Sequence, residues 1–151
     1  MYLILSVFKQ PVYFISDNHF KLTNNLSEKE RRNHLYQVFS NIKRTGGTLV
    51  IGGDFFDFWF DYKYIVPDDY MDLMNQLESL NKNDIDIHFV LGNHDYWDFG
   101  YFQKKFNANI YKKNLEKKYK GHHIQVCHGD GLLKNDIGYR FMKKIIRSKI
   151  C

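Results

Sequence analysis

Short apolar runs alternate with longer stretches of helical spacing along most of this chain. Residues 12–16, VYFIS, are β-branched and aromatic and read as a buried strand, with Asp17 directly after it. Ser27 and Glu30 make a capping-box pattern, and Leu35, Val38, Phe39 and Ile42 then recur on one helix face until Gly46 and Gly47. TLVI at 48–51 is a second strand, left through Gly52, Gly53 and Asp54. Tyr70, Leu73, Met74, Leu77 and Leu80 line a second helix, and IDIHFVL at 85–91 is a third strand running into Gly92, Asn93, His94 and Asp95. A shorter helix is expected from Phe99 to Phe106. KYKGHHIQVCHGD reads as a hairpin turning near Lys120 and Gly121 and ending at His128 and Asp130. Residues 136–150 carry Ile137, Phe141, Ile145 and Ile146 at helical spacing, with a basic opposite face.

Strand, helix, strand, helix, strand predicts an α/β fold with parallel strands, whose ligands gather beyond the carboxyl ends of the strands. The polar clusters of this chain fall at those ends. No internal repeat or low-complexity linker divides the chain, so residues 1–151 are expected to belong to a single domain.

Composition narrows the picture only in places. An apolar fraction of 44%, 17% aromatics and two prolines exclude disordered, collagen-like and mucin-like classes and predict a core of Phe and Tyr against Ile and Leu. The formal charge of +5 favours anionic partners (phosphorylated ligands, nucleic acid or an anionic membrane face) without choosing among them. Lysines concentrate at 104–120, which reads as a solvated face, and at 143–149. Cys127 and Cys151 do not make a disulfide framework and suit a reducing compartment. The opening MYLILSVF lacks a basic leader and a small-residue cleavage site, and no apolar run approaches the ~20 residues of a membrane span. A soluble or peripheral protein is the expectation.

The chemistry lies in four clusters: Asp17 with His19, Asp54 with Asp57, Asn93 with His94 and Asp95, and His128 with Asp130. Carboxylates, imidazoles and one amide are donors of intermediate hardness, suited to Mn, Fe, Zn or Mg. Two cations held close together need a shared carboxylate to offset their repulsion, and Asp54 is the candidate for it. Each cluster alone has a bland reading as a turn, a helix cap or a structural histidine; four in succession after predicted strands do not. His34, His88, His122 and His123 lack such a context and read as surface or core histidines.

In the order D-x-H, G-D-x-x-D, G-N-H-D and H-G-D, the chain resembles the calcineurin-like metallophosphoesterase family. The stretches GGDFFDFWFDYKYIVP, GNHDYWDFGYF and HGDGLLKNDIGYRFMKKIIR are similar to its UDP-2,3-diacylglucosamine pyrophosphatase branch, which serves lipid A synthesis. The resemblance implies a metallophosphoesterase-type β-sandwich flanked by helices (αββα), of which this chain carries mainly the first half. It implies two divalent ions, Mn²⁺ with Mg²⁺, Fe or Zn²⁺ as alternatives. Asp17 and His19 would then bind the first, Asn93 and His128 the second, with Asp54 between them. His94 would sit beside the scissile phosphate, oriented by Asp95, with Asp57 in support. The implied reaction is in-line attack of activated water on the diphosphate of a nucleotide-linked glycolipid. It gives UMP and 2,3-diacylglucosamine 1-phosphate without a covalent enzyme intermediate.

Within the aromatic run Phe55, Phe56, Phe58, Trp59, Phe60 and Tyr62, about half is expected to be core, and Trp59 and Tyr62 to line a groove for acyl chains or sugar. Residues 136–151 would begin a helical cap able to touch a membrane surface. The expected location is cytoplasmic, peripheral on the inner face of the membrane, and nucleic acid is not an expected partner. The family's later GHxH motif is absent, GHH at 121–123 preceding the H-G-D cluster, so the expectation is the N-terminal part of a domain whose remainder would be a missing partner. The alternatives that stay open are a generic phosphodiesterase or protein phosphatase and a non-catalytic fragment.

Overall fold

The computed structural model describes residues 7–23, 25–62, 65–132, 135 and 137–147. The apolar opening up to Ser6, together with Lys63, Asp136, Lys149 and Cys151, lies outside the described residues. Four strands, β1 (Val12–Ile15), β2 (Thr48–Ile51), β3 (Asp86–Val90) and β4 (Asn109–Tyr111), form one parallel sheet in the order β1-β2-β3-β4. The helices α1 (Leu26–Thr45), α2 (Met71–Lys82) and α3 (Tyr101–Phe106) connect them. An antiparallel hairpin, β5 (Asn114–Tyr119) and β6 (His122–Cys127), and the helix α4 (Ile137–Ile146) complete the described elements. This is the α/β architecture with a helix-flanked parallel sheet that the sequence pattern predicts.

Strand alternation sorts the sheet into two faces. Leu49 and Ile51 of β2 and Ile87 and Phe89 of β3 pack with Leu35, Phe39 and Ile42 of α1, Leu73, Met74, Leu77 and Leu80 of α2, and Phe102 and Phe106 of α3. Val50 and Val90 point the other way, against Phe8 and Leu115, so the β5–β6 hairpin covers the opposite face. Phe14, on that face of the outer strand β1, remains 54% exposed.

Some boundaries differ from expectation. Helix α1 is capped by Asn25, whose Oδ1 accepts from the Glu28 N–H at 2.9 Å, while a Glu28 carboxylate oxygen accepts from the Lys21 N–H at 3.0 Å. The capping pair is therefore Asn25 and Glu28, not Ser27 and Glu30: an Asn cap serves as well as Ser, and the earlier pair seats the turn on the loop after β1. Val38 lies off the buried stripe and is exposed. Arg32 takes a place on that stripe, donating to Asp72 at 2.8 Å and to the carbonyls of Asp69 and Lys21. Strand β4 was not apparent from the sequence pattern.

Candidate metal centre

Because β1, β2 and β3 run parallel and in order, their carboxyl ends release Asp17, Asp54 and Asn93 at one edge of the sheet. The loops then zip together. The Asp17, His19 and Phe20 N–H groups donate to the carbonyls of Gly53, Asp54 and Phe55 at 3.0, 2.9 and 3.0 Å. The Trp59 N–H donates to the His94 carbonyl at 2.8 Å. Asp17, His19 and Asp54 adopt positive φ values of 53°, 46° and 50°. Left-handed backbone at non-glycine residues is uncommon and costs about 1–3 kcal/mol each, so three such residues at one site mark a loop held in shape by its surroundings. The glycines before Asp54 and Asn93 have a steric cause: a Cβ at Gly53 would lie 2.7 Å from His128 Nδ1, and one at Gly92 would lie 2.0 Å from Asp54 Oδ1.

Asp54 is the hub. One group of donor atoms, all within 4.8 Å of one another, joins His19, Asp54 and His94; a second joins Asp17, Asp54 and His128. Asp54 Oδ2 lies 3.1 Å from His128 Nε2 and 3.6 Å from His19 Nε2, and Oδ1 accepts the His94 N–H at 3.0 Å. Burial pushes the Asp54 carboxyl up, but the His128 hydrogen bond, the His94 N–H and the charge of both imidazoles outweigh it and hold the group below the usual carboxylate range. The His128 ring faces acceptors on both sides, Gly52 O at 3.2 Å and Asp54 with Asn93 Oδ1 (3.2 Å) on the other. Its pKa is pushed up to about 9, chiefly by the Asp54 hydrogen bond. A cation taken up at Nε2 must displace that proton.

The expected site residues thus converge. Asp54 makes one donor group with Asp17 and His128 and another with His19 and His94, while the sequence reading pairs Asp17 with His19 and places His94 beside the phosphate. The Asp95 carboxylate does not orient His94. It is fully buried and accepts the Gly92 N–H at 2.6 Å and the Phe55 N–H at 2.9 Å, tying the β2 and β3 loops together. The reason is geometric: Asp95 is turned inward while Asn93 and His94 stay partly exposed, and His94 Nδ1 is engaged by the Asp57 carbonyl. Burial pushes the Asp95 carboxyl up to about 7, against the pull of backbone N–H donors of Gly92, Phe55 and Asp54. Asp57 lies 3.5 Å from His19 Nδ1.

Trp59 is also a correction. It is fully buried among Phe56, Tyr70, Tyr101 and Phe102, with Nε1–H donating to Asp61 at 3.1 Å, and cannot line a groove. Phe58, Phe60 and Tyr62 are the exposed members of that run. Sequence reasoning missed Arg147, which reaches from the end of α4 to Asp130 (3.2 Å), to Gly92 O (3.4 Å) and to the Tyr96 ring, 4.0 Å from its centroid. It lies just past α4 and its side-chain partners are remote in sequence, which left no signal.

The calcineurin-like phosphoesterase family model matches residues 10–147, nearly all of the described chain. This chain belongs to that family. Among curated proteins it is similar to UDP-2,3-diacylglucosamine hydrolase of Porphyromonas gingivalis, 27% identical over 122 residues that cover 81% of this chain and 47% of that protein. The enzyme of the same name from Neisseria meningitidis serogroup B is 29% identical, over 93% of this chain and 57% of its own length. The chain therefore spans about half the length of these relatives. A crystal structure of a protein of unknown function from Aquifex aeolicus shares the fold, with a TM-score of 0.51 and 20% identity over 97% of this chain and 75% of that one. As a calcineurin-like phosphoesterase the chain is expected to use divalent metal ions, and its oxygen and imidazole donors, converging on a carboxylate common to two groups, fit them. No helix among the described residues is long and apolar enough to cross a membrane.

Proposed function

We propose that this chain carries the metal-binding residues of a phosphoesterase that hydrolyses the diphosphate of a nucleotide-linked diacylglucosamine, releasing UMP and 2,3-diacylglucosamine 1-phosphate for lipid A synthesis. The observation that supports this reading best is the membership of Asp54 in both donor groups. The relatives' shared name supports the substrate. Asp17, His19, Asn93 and His128 are the further ligands. Bound divalent ions, Mn²⁺ foremost, would stabilise charge on the phosphoryl oxygens and lower the pKa of the attacking water.

The chain's own residues do the rest. With Nδ1 engaged by the Asp57 carbonyl, His94 has Nε2 to offer to a phosphoryl oxygen or to the departing group. Asp95 is a positioning residue that holds the His94 and Asp54 loops in register. Helix α4 exposes Ile137, Phe141, Met142 and Ile145 beside Arg140, Lys143 and Lys144, a combination suited to an acylated substrate at the inner face of the cytoplasmic membrane.

Two measurements test the reading. Calorimetric titration with Mn²⁺ should show binding that Asp54→Asn abolishes; full binding by that variant would sink the metal centre. UDP-2,3-diacylglucosamine should be hydrolysed in preference to bis(p-nitrophenyl) phosphate, and equal rates would assign a generic phosphodiesterase instead. His94→Gln should keep Mn²⁺ affinity and lose at least ~100-fold in turnover, as removal of a general acid does. Loss of metal binding in that variant would make His94 a ligand.

A further inference from the structure

Beside His128, a recess of about 740 Å³ opens between the β4–β5 turn, the end of β6 and α4. That volume lies within the roughly 300–1,000 Å³ of small-molecule sites. Leu91 and Tyr96 supply apolar wall, and Lys112, Lys113, Lys143 and Arg147 bring basic side chains to it. Asp130 is the one carboxylate among the residues that line it. Lys143 lies 2.6 Å and Arg147 3.2 Å from the same Asp130 oxygen, so one anion is shared by two cations and positive charge is left over. Lys112 and Lys113 form no ion pair among the described residues.

The positive charge is also held in place. The Arg147 guanidinium rests 4.0 Å over the Tyr96 ring, and Lys112 Nζ approaches the same ring at 5.8 Å. Cations fixed before a ligand arrives lose little freedom on binding it, and a concave wall concentrates their field. His128 both lines the recess and belongs to the donor group of Asp17 and Asp54, so the two sites adjoin through one side chain. We infer that the recess is a phosphate-binding subsite next to the metal centre, suited to the second phosphate of a diphosphate ligand. Its assignment to the substrate rests on the proposed function; the anion site itself does not.

Cys127 is exposed and lines the recess, which gives a direct readout. The full chain with Cys151→Ser, freed of metal by chelator and kept at constant ionic strength, is alkylated with neutral iodoacetamide while UDP or inorganic phosphate is titrated in. Saturable slowing of Cys127 alkylation is expected. Lys112→Met with Lys113→Met should raise the half-protecting concentration about tenfold or more, as loss of charge-assisted hydrogen bonds does. Lys29→Met, on the exposed side of α1, is the control. Protection by UDP alone assigns the diphosphate; equal protection by both assigns free phosphate to the same subsite. No protection by either, or protection that the double variant leaves unchanged, overturns the inference. Since metal is absent, its failure is separate from failure of the Asp54→Asn test.

Discussion

A methyl group at Gly92 would sit 2.0 Å from Asp54 Oδ1 and 2.6 Å from the Asp54 backbone nitrogen, closer than non-bonded atoms approach. Gly92→Ala must therefore part the β2 and β3 loops. Its Mn²⁺ affinity is expected to fall by about tenfold or more, the scale on which groups supporting metal ligands act. Titration beside a thermal melt checks this, and an unchanged affinity would mean that the loops relax without moving their ligands. Trp59→Ala is expected to cost about 3–5 kcal/mol in urea unfolding, because the ring leaves a hole among four aromatic neighbours. These two residues show what a sequence can and cannot reveal. The proposed ligands stand out in the sequence because each falls within a few residues of a strand end, so its approximate position needs little knowledge of the loop. In the aromatic run, Phe55, Phe56 and Trp59 face inward and Phe58, Phe60 and Tyr62 outward, a pattern of neither helix nor strand. Hydrogen bonds to Phe20, His94 and Trp97, remote in sequence, set it.

Among the elements, α1 and α2 followed from their apolar spacing, whereas their ends and partners depended on polar contacts that periodicity does not encode. The Asn25 cap is one such contact, and Asn25→Ala should cost about 1 kcal/mol by denaturant unfolding. Strand β4 escaped notice because three residues carry too short a pattern; its place comes from pairing with β3. Helix α3 is tied to α2 through Glu78, which lies 2.8 Å from Lys105 and 2.7 Å from Lys82. Hydrogen bonds from Lys105 and then Lys82 hold the Glu78 carboxyl at about 2, below its ordinary value of about 4.3. A folded-state value below the unfolded one means that this stabilisation is complete above about pH 4.5 and is lost as pH falls through about 2. Glu78→Gln should therefore flatten the acid limb of a stability-against-pH curve within that window. An unaltered limb would show that the two lysines do not act on Glu78 in solution.

At the scale of the whole molecule, the parallel order β1-β2-β3 is what turns separate motifs into a site, since it stacks three strand exits along one edge. That much follows from strand and helix alternation. The sequence did not disclose that His128 approaches Asp54 from the hairpin on the other face, because among the described residues β5 and β6 form no ladder with the four-stranded sheet and meet it through side chains such as Leu115. A cation bound at Asp54 would thus link loops of three strands to a hairpin that otherwise meets the sheet through apolar side chains. Anything that binds only the folded state stabilises it, by about 2.7 kcal/mol at a concentration 100 times Kd. For a domain of this size about 1 kcal/mol moves Tm by roughly 2–4 °C, so saturating Mn²⁺ should raise Tm by roughly 5–11 °C. Chelator should reverse the shift, and Asp54→Asn should melt at one temperature with or without Mn²⁺. Hydrogen exchange adds a spatial check: amides of β6 should gain protection on Mn²⁺ addition along with those after β2 and β3. Protection confined to the loops after β1, β2 and β3 would mean that His128 takes no part in holding the metal.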